Sequence, residues 1–161
     1  MLSNGVLQGV ASILLAVIIY SMGMSYDQPW YVSLLGFIIM IVFISMGLKK
    51  FKESNDGFLK LGEAIKIGLG ISLIGAIVYA LYFFLFVSFI EPEFYTNMLA
   101  VQEQLWIDQG LTDQQIEGAI IMTEKMSNPT MTTGITLAAS LFFGFIISLI
   151  AGLIMKNTKE E

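Results

Sequence analysis

The sequence predicts an all-α membrane protein: a bundle of four antiparallel transmembrane helices with an extracytoplasmic helical hairpin between helices 3 and 4. Three observations carry this expectation. The chain of 161 residues is 56% hydrophobic and only 13% charged, where soluble domains run roughly 45–50% apolar and about 25% charged. Four long stretches hold no charged side chain at all. The lysines fall almost entirely on one side of the membrane that those stretches define.

Composition also removes function classes. With neither cysteine nor histidine, the chain has no disulfide framework, thiol nucleophile, Cys/His zinc site or Ser-His-Asp triad. Arginine is absent as well, and with it forked phosphate recognition. A net charge of -5 and a pI near 4.6 argue against nucleic acid as a partner. No cofactor and no metal are expected. The partners expected are the lipid bilayer and either a second copy of the chain or another membrane protein.

A spanning helix needs about 20 mostly apolar residues. The first uncharged stretch, residues 1–26, predicts a span over 3–25. No Lys precedes Lys49, and no small-residue cleavage site is evident, so this is read as an uncleaved span rather than a signal peptide. It opens with Gly5-x-x-x-Gly9, a close-packing pattern. Met22-Gly23-Met24 offers two thioethers, which suit copper(I); among ten methionines in an apolar chain, core filling is the better reading.

Asp27-Gln28-Pro29-Trp30 forms a short turn, flanked by Tyr26 and Tyr31, whose rings favour the headgroup layer. The second span is expected over 30–48. A basic loop, 49–64, follows, with Lys49, Lys50, Lys52 and Lys60 as the topogenic residues that hold it in the cytoplasm. Its Lys49-Lys50-Phe51-Lys52 run can also attract anionic lipid, at about 1 kcal/mol per lysine.

The third span is expected over 65–90 and the fourth over 132–155. Each carries small residues at every fourth position: Gly68, Ser72, Ala76 and Ala80 in the third, Ser140, Gly144, Ser148 and Gly152 in the fourth. Lipid is as apolar as leucine, so helices associate through close backbone approach, which small residues permit. The two spans are read as a tightly packed pair; the alternative is that these stripes line a narrow path. Glu63 and Lys66, three apart at the start of the third span, read as an interfacial pair, or else as a cytoplasmic gate or headgroup site. Pro29, Pro92 and Pro129 all fall at or beyond span ends, where no backbone carbonyl is orphaned in lipid.

Residues 91–131 form the only sizeable segment outside the spans, with seven acids and one lysine. Pro92 suits the first turn of a helix, and Phe94, Met98, Val101 and Leu105 recur at helical spacing. Gly110 marks a stop. Thr112-Asp113-Gln114-Gln115 has the form of a capping box, followed by a stripe at Ile116, Ala119 and Ile120; Asn128–Pro129 ends it. Phe94, Met98, Leu105, Trp106, Ile116 and Ile120 are the candidate interface residues. Lysine placement puts this acidic hairpin outside and both termini in the cytoplasm.

The approach to the third span (Gly57-Phe58-Leu59-Lys60-Leu61-Gly62-Glu63-Ala64-Ile65-Lys66-Ile67-Gly68), its exit (Ile90-Glu91-Pro92-Glu93-Phe94) and the Leu111-Thr112-Asp113-Gln114-Gln115-Ile116-Glu117 stretch resemble one known family. This is the domain of unknown function 4199 family, small four-span bacterial membrane proteins. The likeness in layout covers nearly the whole chain. It implies a location in the bacterial inner membrane and carries no activity, so no catalytic residue is transferred.

The sharper chemistry is absent. Ion-coupled exporters need a charged group at depth, and the small four-span multidrug exporters of similar size carry an essential glutamate in the first span. Here that span offers Gln8, Ser12 and Ser21. The paired acids Glu91/Glu93 and Glu160/Glu161 read as solvated rather than as an acid/base dyad. The leading reading is a non-enzymatic membrane protein presenting its hairpin for partner binding or self-association. The alternative is a small transporter or channel subunit working as an oligomer, with Ser72, Thr132, Thr133, Thr136, Ser140 and Ser148 along its path. A polar cavity among the spans favours that alternative, and a dry centre weighs against it. A lipid-acting enzyme using Glu63, Glu91 or Glu93 is the weakest reading, because no nucleophile–base pair is visible.

Overall fold

A computed structural model describes residues 1–158; Lys159, Glu160 and Glu161 lie outside the described residues. The regular elements of the described chain are helices, in the order α1 (Leu2–Ser21), α2 (Trp30–Ser54), α3 (Leu61–Leu85), α4 (Phe94–Asp108), α5 (Asp113–Met126) and α6 (Pro129–Met155). α1, α2, α3 with its extension to Ile90, and α6 are each long and apolar enough to cross a membrane. Their outward faces are apolar: Leu14, Leu81, Phe142 and Ile154 are all more than half exposed. Water penalises such a surface and hydrocarbon does not.

α3 is the axis of the bundle. On one side it meets α6 along the small residues: a Cβ on Gly152 would lie 2.7 Å from the Ala64 Cβ, and one on Gly68 2.6 Å from the Ser148 Cβ. One on Gly144 would lie 2.6 Å from the Ser72 Cβ. On another side α3 meets α1, where Cβ atoms on Gly5 and Gly9 would each fall 2.6 Å from the Cβ of Ile74 and Val78. These distances are closer than side chains tolerate, so the glycines set the helix separation. α2 closes the end near the α2–α3 loop, where Ile44 and Leu48 are fully buried with Ile67, Ile71 and Ile147. There the Asn4 side-chain amide donates to the Phe43 carbonyl oxygen at 3.4 Å.

The same end is fastened by backbone. Leu59 and Asn157 exchange both N–H···O bonds, at 2.8 and 3.0 Å, and Leu59 is fully buried. The Asn157 side chain donates to the Gly57 carbonyl at 2.9 Å, and the Lys52 ammonium to the Met155 carbonyl at 2.9 Å. At the opposite end α3 widens into a π-helical turn, Phe86–Ile90, closed by the Glu91 N–H donating to the Phe86 carbonyl at 2.9 Å. Such turns are rare in helices and frequent beside functional sites.

The residues between α3 and α6 obey local rules. α4 begins at Phe94; Pro92 lies in the preceding turn, which the Phe94 N–H closes onto the Glu91 carbonyl at 3.0 Å. α4 stops just before Gly110, whose φ of 79° only glycine adopts at little strain. The Leu111 N–H then reaches the Trp106 carbonyl at 3.1 Å, and the Gly110 N–H the Ile107 carbonyl at 2.9 Å, the paired closure of a Schellman stop. Thr112 caps α5, with its N–H donating to the Gln115 side-chain oxygen at 2.9 Å. Asn128 caps α6 by accepting from the Met131 N–H at 2.9 Å, with Pro129 in the first turn.

Candidate ligand cavity between the helices

α2 packs closely near the α2–α3 loop and leaves room towards the α1–α2 turn. The result is a cavity of about 330 Å³ bounded by α1, α2, α3 and α6. α1 contributes Gln8, Ser12, Leu15, Ala16 and Ile19; α2 contributes Val32, Gly36 and Met40. α3 and its π-turn supply Gly75, Ala76, Tyr79, Tyr82, Phe83 and Phe86, and α6 supplies Thr136 and Ser140. Gly36 helps to make the space, since a Cβ there would meet nothing within 4 Å. No charged side chain lines the cavity among the described residues.

Gln8 is the polar centre of this wall. It is only 4% exposed, and its Oε1 has no hydrogen-bond partner. Gly75 makes the seat: a Cβ at that position would stand 3.0 Å from the Gln8 Cδ. One turn along α1, the Ser12 hydroxyl donates to the Gln8 carbonyl at 3.0 Å. A buried amide oxygen left unpaired costs about 1–3 kcal/mol, so its retention needs a reason beyond packing.

The end towards the α1–α2 turn is aromatic and carries one acid. Phe94 turns back onto Phe83, Phe86 and Tyr26, at centroid separations of 5.4, 5.9 and 5.5 Å. Tyr20 meets Phe86 edge-on at 5.0 Å and donates its hydroxyl to the Glu91 carboxylate at 3.1 Å. The Asn97 amide donates to Glu91 and to the Tyr26 oxygen, each at 3.3 Å. Partial burial, followed by the nearby Glu91, keeps the Tyr26 hydroxyl protonated above its ordinary range, although the Asn97 hydrogen bond pulls the other way. Glu91 is therefore a structural acceptor at the cavity rim. Glu93, which precedes α4, is exposed.

The other residues singled out from the sequence fall as follows. Gly68, Ser72, Gly144, Ser148 and Gly152 are buried at the α3–α6 contact, with Ala76 buried on the same helix. Ala80 and Ser140 are half-buried. The Ser148 hydroxyl donates to the Gly144 carbonyl within α6, whereas the Ser72 hydroxyl is buried without a partner. Ser140 and Thr136 line the cavity; Ser72, Ser148, Thr132 and Thr133 do not. The Thr132 hydroxyl instead accepts from Tyr95 at 3.2 Å.

Of the candidate interface residues, Ile116 is buried, Phe94 is turned onto the bundle, and Met98, Leu105, Trp106 and Ile120 are half-buried. The exposed large apolar side chains of α4 and α5 are Ile107, Ile121, Met122 and Met126. Lys49, Lys50 and Lys60 are exposed and Lys52 is half-buried. The Glu63 carboxylate accepts from the Lys60 N–H at 2.8 Å and so caps its own helix. Gln8 and Gly36 as cavity residues were missed from the sequence. The available signal for Gln8 was an amide one turn before Ser12 in an otherwise mostly apolar span.

These features define a class: an all-helical protein with four helices able to cross a membrane and a polar-centred cavity between them. Within that class the chain belongs to the family described as protein of unknown function DUF4199, whose model matches residues 3–157. No curated protein and no solved structure matches it.

Proposed function

We propose that this chain is a non-enzymatic, multi-pass protein of a bacterial inner membrane that presents α4 and α5 outside as an acidic helical hairpin for partner binding or self-association. Both termini are cytoplasmic in this reading, and successive spans alternate in direction. The lysines of 49–66 support the orientation. The contacts support the alternation. Ala64, Gly68 and Ser72 ascend α3 as their neighbours Gly152, Ser148 and Gly144 descend α6. Gly5 and Gly9 ascend α1 together with Ile74 and Val78 of α3.

The observation that carries the hairpin reading is the apolar exposure of Ile107, Ile121 and Met122, at 50%, 48% and 66%, on helices outside the spans. Water leaves such side chains uncovered only at a cost that a partner removes. Crosslinking in intact cells tests it. The double variant I121E/M122E, which alters exposed positions only, is expected to lose the crosslinked species of the native chain. Unchanged crosslinks overturn the reading. A product of twice the mass identifies self-association, and a product of another mass a partner.

The transporter or channel-subunit reading stands second, and the cavity favours it. Protein-reconstituted liposomes that move a solute, with flux blocked by filling the cavity, are its test.

A further inference from the structure

The geometry points to a ligand site in the interhelical cavity, built for one uncharged, ring-bearing small molecule that carries an O–H or N–H donor. The site is distinct from the hairpin surface and requires no transport, so it stands whether or not flux is found.

The first argument is size. About 330 Å³ falls at the lower end of the roughly 300–1,000 Å³ range of small-molecule pockets. The second is the orphaned acceptor. Gln8 is 4% exposed with an unpartnered Oε1, and Gly75 lacks the side chain that would displace it. That oxygen is closed off in the ligand-free protein, and a ligand donor satisfies it once the Gln8 amide turns toward the cavity that its side chain lines. The same contact discriminates strongly, because a look-alike lacking the donor leaves the oxygen unpaired. The third is charge. With no ionic side chain in the lining, an ion would be desolvated without compensation, which selects neutral ligands.

The fourth argument is wall chemistry. Tyr79, Tyr82, Phe83 and Phe86 line the cavity from α3 and its π-turn, and aromatic walls suit an aromatic guest in offset or edge-to-face contact. Water is one competing occupant. Roughly ten molecules would fill the volume at about 30 Å³ each, most of them against Leu15, Ile19, Val32 and the rings, where they lack partners. Displacing such poorly held water by an apolar ring is favourable.

The test uses the full chain in nanodiscs, with 2-naphthol as the probe and naphthalene as its counterpart lacking the hydroxyl. Binding is read by equilibrium dialysis against protein-free discs of the same lipid, which removes simple partitioning. Wild type is expected to bind one 2-naphthol per chain saturably, and naphthalene at least tenfold more weakly. G36L places a side chain in the open space and is expected to abolish the saturable component. Q8L keeps the volume and removes the acceptor, and is expected to erase the preference for naphthol over naphthalene. Circular dichroism melting checks that both variants fold. Should G36L alone fail to fold, A16F supplies the second plug. Naphthalene-2-sulfonate is expected not to compete.

No saturable component in wild type, a preference that survives Q8L, or competition by the sulfonate overturns the proposal; the first of these identifies a water-filled void only. Saturable binding without solute flux in liposomes retains the site and removes the transporter reading.

Discussion

Ser148 stands in the space that a side chain on Gly68 would need, and Ser72 stands in the same relation to Gly144. The α3–α6 contact is thus reciprocal. Each helix offers a serine to the other's glycine one turn away, and the two pairs lock both register and separation. In lipid, where apolar burial gives little drive, this close fit is the main source of association.

The reciprocity predicts compensation. Gly68→Ala should lower stability by about 1–3 kcal/mol, as overpacking does. Adding Ser148→Gly to it should recover part of that loss, since the obstructing Cβ is gone. A double-mutant cycle on unfolding in mixed micelles measures the coupling. Strict additivity would mean that the contact is looser than the 2.6 Å approach of Gly68 to the Ser148 Cβ implies. Ser72→Ala, which removes a hydroxyl that has no partner, should cost far less than Gly68→Ala.

Gln8 predicts an inverted effect. A buried, unpaired acceptor is a standing penalty, and an apolar group of like shape removes it. Gln8→Leu should therefore raise the stability of the ligand-free protein by about 1 kcal/mol, seen as a higher melting temperature in detergent. A clear loss of stability would show that the amide is satisfied. Residues retained against stability are those expected at sites of function.

Because the chain has no cysteine, single-cysteine labelling is free of background. Gln109→Cys, at an exposed position beside Gly110, should react with a membrane-impermeant maleimide in intact spheroplasts. Lys50→Cys should react only after permeabilisation. The reverse pattern inverts the topology and moves the hairpin to the cytoplasm.

Tyr26 predicts an alkaline signature. Its hydroxyl pKa is raised above the ordinary value of 10.0, chiefly by burial, so its neutral form is favoured in the fold. A group raised on folding contributes stability below its unfolded pKa and loses it as pH rises through the folded one. The difference titration of wild type against Tyr26→Phe, followed by tyrosinate absorbance, should have its midpoint above 10.0. A midpoint at or below that value would mean that the rim of Glu91, Asn97 and Tyr26 is open in solution.

The helices were legible in the sequence because a bilayer imposes blunt demands on length and charge. The turns were legible where a single residue type decides them, as Gly110, Thr112 and Asn128 do. The packing stripes were visible because small residues leave a periodic mark. The cavity was not. Gln8, Gly36, Tyr79 and Ser140 come from four different helices, and no one-dimensional period records which residues of separate helices meet. The helices α4 and α5 show the same limit. Helical spacing identified Phe94 and Ile116 as apolar stripe residues, but it did not distinguish the face turned to the bundle from the face bearing Ile121 and Met122.

The clasp near Asn157 joins it to Gly57, 100 residues earlier in the chain. Synthesis proceeds from the N-terminus, so α1, α2 and α3 emerge before the strand of chain that fastens them exists. The nascent protein must wait with Leu59 unsealed until Asn157 arrives to pair with it.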